Sequence, residues 1–308
     1  MTYGYMSLYD GSSSYNAILS FTADKFNFCM YMYFATMPKK KEAIPMLWLF
    51  FLANAITIFT GQRNSFILPL IFCILYLIIR NKVNNEGKVW LSKKTITIML
   101  ILAPFLMISM YAIMILRSGE TIEKLNPIDG FISSIYQLGS SIEVIHNSIL
   151  YQETLRQQDF YSLSEFYNFI IYNPISSLFL NIPHYAPGTI ELATQGKSLG
   201  NSLTYIDNPA RFFNYGSIGS SYVSECWLDF GFLGIILFSF LYGYILSYLW
   251  KGMTKNVWII FGMFVILTQI IYAPRYSASS FFVELIETKS WPYLLVFYLS
   301  YKNKRFHL

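Results

Sequence analysis

Leu116-Arg117-Ser118-Gly119-Glu120 opens, and Arg211-Phe212-Phe213-Asn214-Tyr215-Gly216-Ser217-Ile218-Gly219 closes, the one long interval of this chain without a membrane-length apolar run. The sequence on either side reads as helices embedded in lipid. Between Arg117 and Ser221 lie two of the three histidines and nine of the seventeen carboxylates. Chemistry is therefore to be sought in that loop and at the helix mouths around it.

Composition supports the membrane reading. The 308 residues are 55% hydrophobic and 13% charged, where soluble domains carry about 25% charge. An aromatic share of 19% suits broad interfacial belts. No basic tract is interleaved with aromatic residues, so nucleic acid is excluded as a partner. Cys29, Cys73 and Cys226 are odd in number and sit in apolar runs, which marks them as small buried hydrophobes rather than a disulfide framework. Met1 to Ser14 is polar and lacks the basic start and cleavage site of a signal peptide. It reads like the tail of an exported loop, with further helices expected upstream.

Seven spans are expected, in an all-α polytopic membrane protein with one large helical periplasmic loop. An N-terminal block, 1–116, holds spans at about 15–37, 45–60, 65–79 and 95–116. The loop is 117–221. A C-terminal block, 222–308, holds spans at about 222–250, 257–273 and 281–301. The first span carries Asp24 and Lys25 near its middle, each costing about 2.5–3.5 kcal/mol on insertion scales, so the pair is expected to face the helix bundle. The 45–60 helix is short of a bilayer core of about 30 Å. The hairpin tip Gly61-Gln62-Arg63-Asn64 is therefore expected to dip into the outer interface.

Orientation follows from charge. The proposed inner turns hold thirteen basic residues, from Lys39-Lys40-Lys41 to Lys302, Lys304 and Arg305, against seven outside. The cytoplasmic face of a membrane protein gathers such residues. Five of the seven outer ones are arginine, whose planar fork grips phosphate with two bonds as lysine does not. Arg63, Arg117, Arg211 and Arg275 stand at the outer ends of four different segments. They are expected to converge on an anionic headgroup such as a pyrophosphate.

Glu225 and Asp229 are spaced i,i+4 near the outer end of a span, where carboxylates are costly and tend to be functional. Glu225 is the stronger candidate for a direct role. His184 is the candidate general base, because imidazole titrates near neutral pH. Gly231 and Gly234 read as close helix packing. No phosphate-cradling glycine loop, nucleophile turn, Asp-x-Asp pair or metal-ligand spacing is present, so neither cofactor nor metal is expected.

The run Tyr215-Gly216-Ser217-Ile218-Gly219-Ser220-Ser221-Tyr222-Val223-Ser224-Glu225-Cys226-Trp227-Leu228-Asp229-Phe230-Gly231-Phe232-Leu233-Gly234 resembles the segment entering a late helix of the Wzy-type O-antigen polymerases. The Thr60-Gly61-Gln62-Arg63 tip, Arg275 and the long outer loop resemble that family too. The resemblance implies an inner-membrane glycosyltransferase of lipopolysaccharide biosynthesis. Its substrates would be undecaprenyl-pyrophosphate-linked oligosaccharides on the periplasmic face, with a chain-length regulator and a flippase as partners. It also implies that Tyr185, Tyr205, Phe212 and Tyr215 stack on sugar rings. An O-antigen ligase shares the loop and arginines and is the alternative. A lipid-linked glycan flippase or transporter is a second, disfavoured because the charges gather at helix ends.

Overall fold

The computed structural model describes residues 25–56, 63–82, 89–94, isolated positions within 96–108, 127–139, 141–158, 160–173, 176–179, 185–252 and 256–305. Asp24, the Thr60-Gly61-Gln62 tip, Arg117, Glu120, His184 and most of the 95–116 span lie outside them. All regular structure among the described residues is helical. Two helices there, Tyr222–Gly252 and Val257–Arg275, are long and apolar enough to cross a membrane.

The chain divides into two units, and the division does not fall at residue 116. One unit contains Tyr33–Ser140, the other Asn16–Met32 with Ser141–Leu308. Most of the long loop thus belongs with the C-terminal helices.

In the first unit Lys40–Ala55 packs against Arg63–Lys82, each helix holding a proline that packed neighbours tolerate. Their contact is aromatic. Phe34, Phe50, Phe72 and Tyr76 are all at most 1% exposed, and their ring centroids lie 4.7–6.1 Å apart. The offset and edge-on arrangements are those that aromatic quadrupoles favour.

The second unit is built on a helix that turns back on itself. Gly231, inside Tyr222–Gly252, has φ 62° and ψ −148°, a backbone region open in practice to glycine alone. A straight helix would separate Tyr222 from Tyr242 by about 30 Å. Their ring centroids are instead 5.2 Å apart, and the Tyr222 hydroxyl lies 3.2 Å from Ser239 Oγ. The short arm 222–230 therefore lies along the long arm 232–252. Gly234 permits this closeness, since a Cβ there would meet the Cys226 carbonyl oxygen at 2.5 Å. The expected 222–250 span is thus folded into a hairpin, whose long arm alone has spanning length. Gly231 makes the reversal and Gly234 the packing.

Val257–Tyr272 runs back beside it, capped by Asn256, whose side chain accepts from Trp258 N at 3.0 Å. The stretch expected as a 281–301 span is broken into Ser280–Ile286, a 3₁₀ turn at Thr288–Ser290 and Trp291–Arg305. Glu287 leaves helical geometry at the break and pairs with buried Lys25, which also lies 3.9 Å from Glu284. Lys25 thus faces protein, with its charge matched.

The loop part of this unit has its own core. Val144, Leu155, Tyr161, Leu199 and Leu203 are buried together with Leu228 of the hairpin's short arm. The hairpin is therefore the shared wall between loop and membrane helices.

Candidate functional site

The site is built around Glu225, in the first turn of the hairpin's short arm. Its side chain is 1% exposed. One oxygen accepts from Ser220 Oγ at 2.6 Å, the other from Ser277 Oγ at 3.0 Å and the Ala278 amide at 2.8 Å. The carboxylate therefore clasps two strips of chain to one helix end. Tyr242, on the long arm, completes the hold by donating to Ala278 O at 2.6 Å.

Each strip carries one of the expected arginines. Arg275 is half-buried and ends the 3₁₀ turn two residues before Ser277, so consecutive Cα spacing keeps it within about 8 Å of that serine. Arg211 lies on the other strip, in Pro209–Phe213, which Asn208 caps by accepting from Arg211 N at 3.0 Å. Its Nη2 donates to Ser217 O at 2.7 Å, three residues before Ser220. Gly216 fits only without a side chain, because a Cβ there would meet Arg211 Cγ at 2.6 Å. Glu225 thus gathers the Arg275 turn and the Arg211–Ser220 strip. Arg63 heads the Arg63–Lys82 helix of the other unit.

Asp229, one turn on, has a different task. It accepts from the amides of Tyr161 and Ser162 at 3.1 and 2.8 Å, and from Ser162 Oγ at 2.6 Å. These are the free donors at the start of a helical run that continues as Ser164–Tyr172, so Asp229 acts as its N-terminal cap from 68 residues away.

That cap brings in a carboxylate that sequence reading passes over. Glu165 stands in the first turn of Ser164–Tyr172, which packs on Ser280–Ile286 with Phe166 and Phe282 centroids 5.9 Å apart. It lies within electrostatic reach of Glu225 and Tyr276. It has no hydrogen-bond or ion-pair partner among the described residues, and burial pushes its carboxyl above the usual range. No local sequence signal marks Glu165, since its neighbours come from distant segments.

The aromatic candidates divide. Phe212 is 2% exposed and packs against Tyr205 and Phe213 with centroids 5.5 and 5.6 Å away, so as placed it meets protein and not sugar. Tyr205 flanks the same cluster. Tyr185 is half-buried and donates to Gln195 Oε1 at 2.7 Å. Tyr215 is exposed, with φ 58°, and its ring lies over Gly188, where a Cβ would meet it at 3.2 Å.

The site is thus a buried carboxylate that joins two arginine-bearing strips beside a hairpin. The family model for the O-antigen polysaccharide polymerase Wzy matches residues 1–304. The chain belongs to that family. Its members are integral membrane proteins that polymerise lipid-linked oligosaccharide repeat units in lipopolysaccharide biosynthesis. Comparison with curated proteins and with solved structures finds no match. Family membership gives the apolar long arm its meaning. Phe232, Leu233, Ile236, Leu237 and Phe240 are all more than 60% exposed, a surface suited to lipid.

Proposed function

We propose that this polymerase transfers the growing glycan from undecaprenyl pyrophosphate to the next lipid-linked repeat unit, on the periplasmic side of the bacterial inner membrane and without a metal. A hydroxyl of the acceptor sugar attacks the anomeric carbon of the donor, forming the new glycosidic bond. The anomeric C–O bond breaks, and lipid pyrophosphate leaves. Arg211 and Arg275 meet the charge that grows on the leaving group. Preorganised cations aimed at developing charge are commonly the largest single contribution to a rate.

The observation that carries this reading is the double attachment at Glu225, which fixes two arginine strips to one point. Glu225 takes the acceptor's proton through Ser220, the one of its three donors that is itself partly exposed. His184 serves as the alternative base.

The test uses purified protein and synthetic undecaprenyl-pyrophosphate-linked repeat units. Chains longer than one unit and free undecaprenyl pyrophosphate are expected, with equal yield in EDTA. Arg275→Ala is expected to lose about 10²–10³ in rate, the scale for removing one group that stabilises developing charge. Loss of product in EDTA with recovery on magnesium would overturn the metal-free route. Wild-type chain lengths in both Arg211→Ala and Arg275→Ala would overturn the arginine site. In cells, deletion should leave lipopolysaccharide bearing a single repeat unit, whereas loss of a ligase leaves none.

A further inference from the structure

At the tip of the hairpin, about 9 Å along the short arm from Glu225, lies an open cleft of about 560 Å³. Ligand clefts run from roughly 300 to 1,000 Å³. Arg156, Gln158 and Phe160 form one side, and Leu228, Asp229, Phe230 and Gly231 the other. Neither Glu225 nor the arginine strips contribute to it.

The cleft exists because the backbone is held in unusual conformations on both sides. Gly231 turns the hairpin there. Across from it Phe160 has φ 58° and ψ 59°, a left-handed conformation that costs a bulky residue free energy and persists only where its surroundings enforce it. Asp229 enforces it, by holding the amides of the next two residues. The result is two half-exposed rings, Phe160 and Phe230, set at 43° with centroids 6.2 Å apart. They form an open V rather than a closed stack.

The polar groups complement those rings. Arg156 is exposed and has no ion-pair partner among the described residues, which leaves a fork of donors. Asp229 uses three of its roughly four acceptor positions and keeps one. Gln158 is pinned, donating to Ala193 O at 2.9 Å and accepting from Ser202 Oγ at 3.3 Å, so it serves as a rigid wall.

We infer that this cleft binds one pyranose ring of the glycan, as a subsite distinct from the Glu225 site. A pyranose offers an apolar C–H face to the two phenyl rings and hydroxyls that both donate and accept to Asp229 and Arg156. A pyrophosphate would meet the Asp229 carboxylate, and an acyl chain would strand both charges. The inference rests on the polymerase reading for its substrate, and it places the sugar farther along the hairpin than the lipid pyrophosphate.

The test measures binding of two separate probes to the full chain in nanodiscs: the lipid-free oligosaccharide repeat unit, and undecaprenyl pyrophosphate. Phe160→Leu and Arg156→Gln are each expected to weaken oligosaccharide binding tenfold or more and leave the lipid unchanged. Phe160→Tyr, which keeps the ring, should bind as wild type. Arg156→Gln changes an exposed side chain and carries the test if Phe160→Leu misfolds. Undiminished oligosaccharide binding in Arg156→Gln, loss of the lipid probe instead, or no oligosaccharide binding by the wild type overturns the subsite. A wild type that binds oligosaccharide but never polymerises lipid-linked units would overturn the transfer reaction and leave the subsite standing.

Discussion

The two units solve the same problem with opposite charges. In the first, Arg80 donates to Met37 O and Pro38 O at 3.0 and 2.9 Å and lies 4.3 Å from the Trp90 ring centroid. Met37, at φ 54°, follows the Phe26–Ala35 helix, so the guanidinium satisfies carbonyls of the turn beyond that helix. In the second unit, Glu225 and Asp229 satisfy amides and hydroxyls left over at helix starts. The cation is half-exposed, though Pro38 is buried. Glu225 is sealed. The same bookkeeping of backbone groups therefore has very different consequences when a partner is removed.

Glu225→Ala gives the largest effect. It strands the Ser277 hydroxyl and the Ala278 amide inside protein, and each buried donor left unsatisfied costs about 1–3 kcal/mol. Thermal unfolding in detergent should show the loss, with new protease cleavage at 277–279. Glu225→Gln retains one acceptor oxygen and should lose less than half as much. Equal Tm values for Glu225→Ala and wild type would mean that the clasp holds nothing.

Asp229→Ala comes next, at about 2 kcal/mol, the upper range for losing a helix cap. It should also release Phe160 from its left-handed conformation, read as faster proteolysis within 156–163. Arg80→Lys, at the other unit's joint, should cost about 1 kcal/mol. A lysine reaches one carbonyl and forfeits the planar stack on Trp90. An Arg80→Lys loss as large as that of Glu225→Ala would erase the contrast between the two units.

What the sequence discloses follows the same division. Lysine-rich turns and apolar runs mark where chain meets water and lipid, because those are composition effects that act residue by residue. Glu225 stands out for a similar reason: a carboxylate beside an apolar run is costly wherever it sits. The reversal at Gly231 is invisible, since a glycine in an apolar run reads equally as packing, which is what Gly234 does. Asp229 was legible as a carboxylate but not as a cap, because its amides are contributed from 161 and 162. Glu165 and the Phe160–Phe230 cleft arise only from long-range placement. The convergence of Arg63 and Arg117 with the other arginines is an inference from the sequence, Arg117 lying outside the described residues.

Glu165 offers the finest test of the contrast, because it is a carboxylate of the second unit with no hydrogen-bond or ion-pair partner among the described residues. Burial raises its pKa in the folded state, so the folded chain binds that proton more tightly than the unfolded chain does. Its contribution to stability is fully present below the ordinary carboxylate range and is lost as pH rises through the raised folded value. Above that window the ionised group is a burden. Glu165→Gln removes the titration and keeps the shape, so the variant should melt higher than wild type at neutral pH, and the gap should close on acidification to about pH 4. Glu225→Gln should behave the other way at neutral pH, lowering the Tm because it loses bonds that Glu165 never had. A Glu165→Gln variant that melts lower than wild type at neutral pH would show that its carboxylate is bonded after all, and would make it a second clasp rather than a free acid.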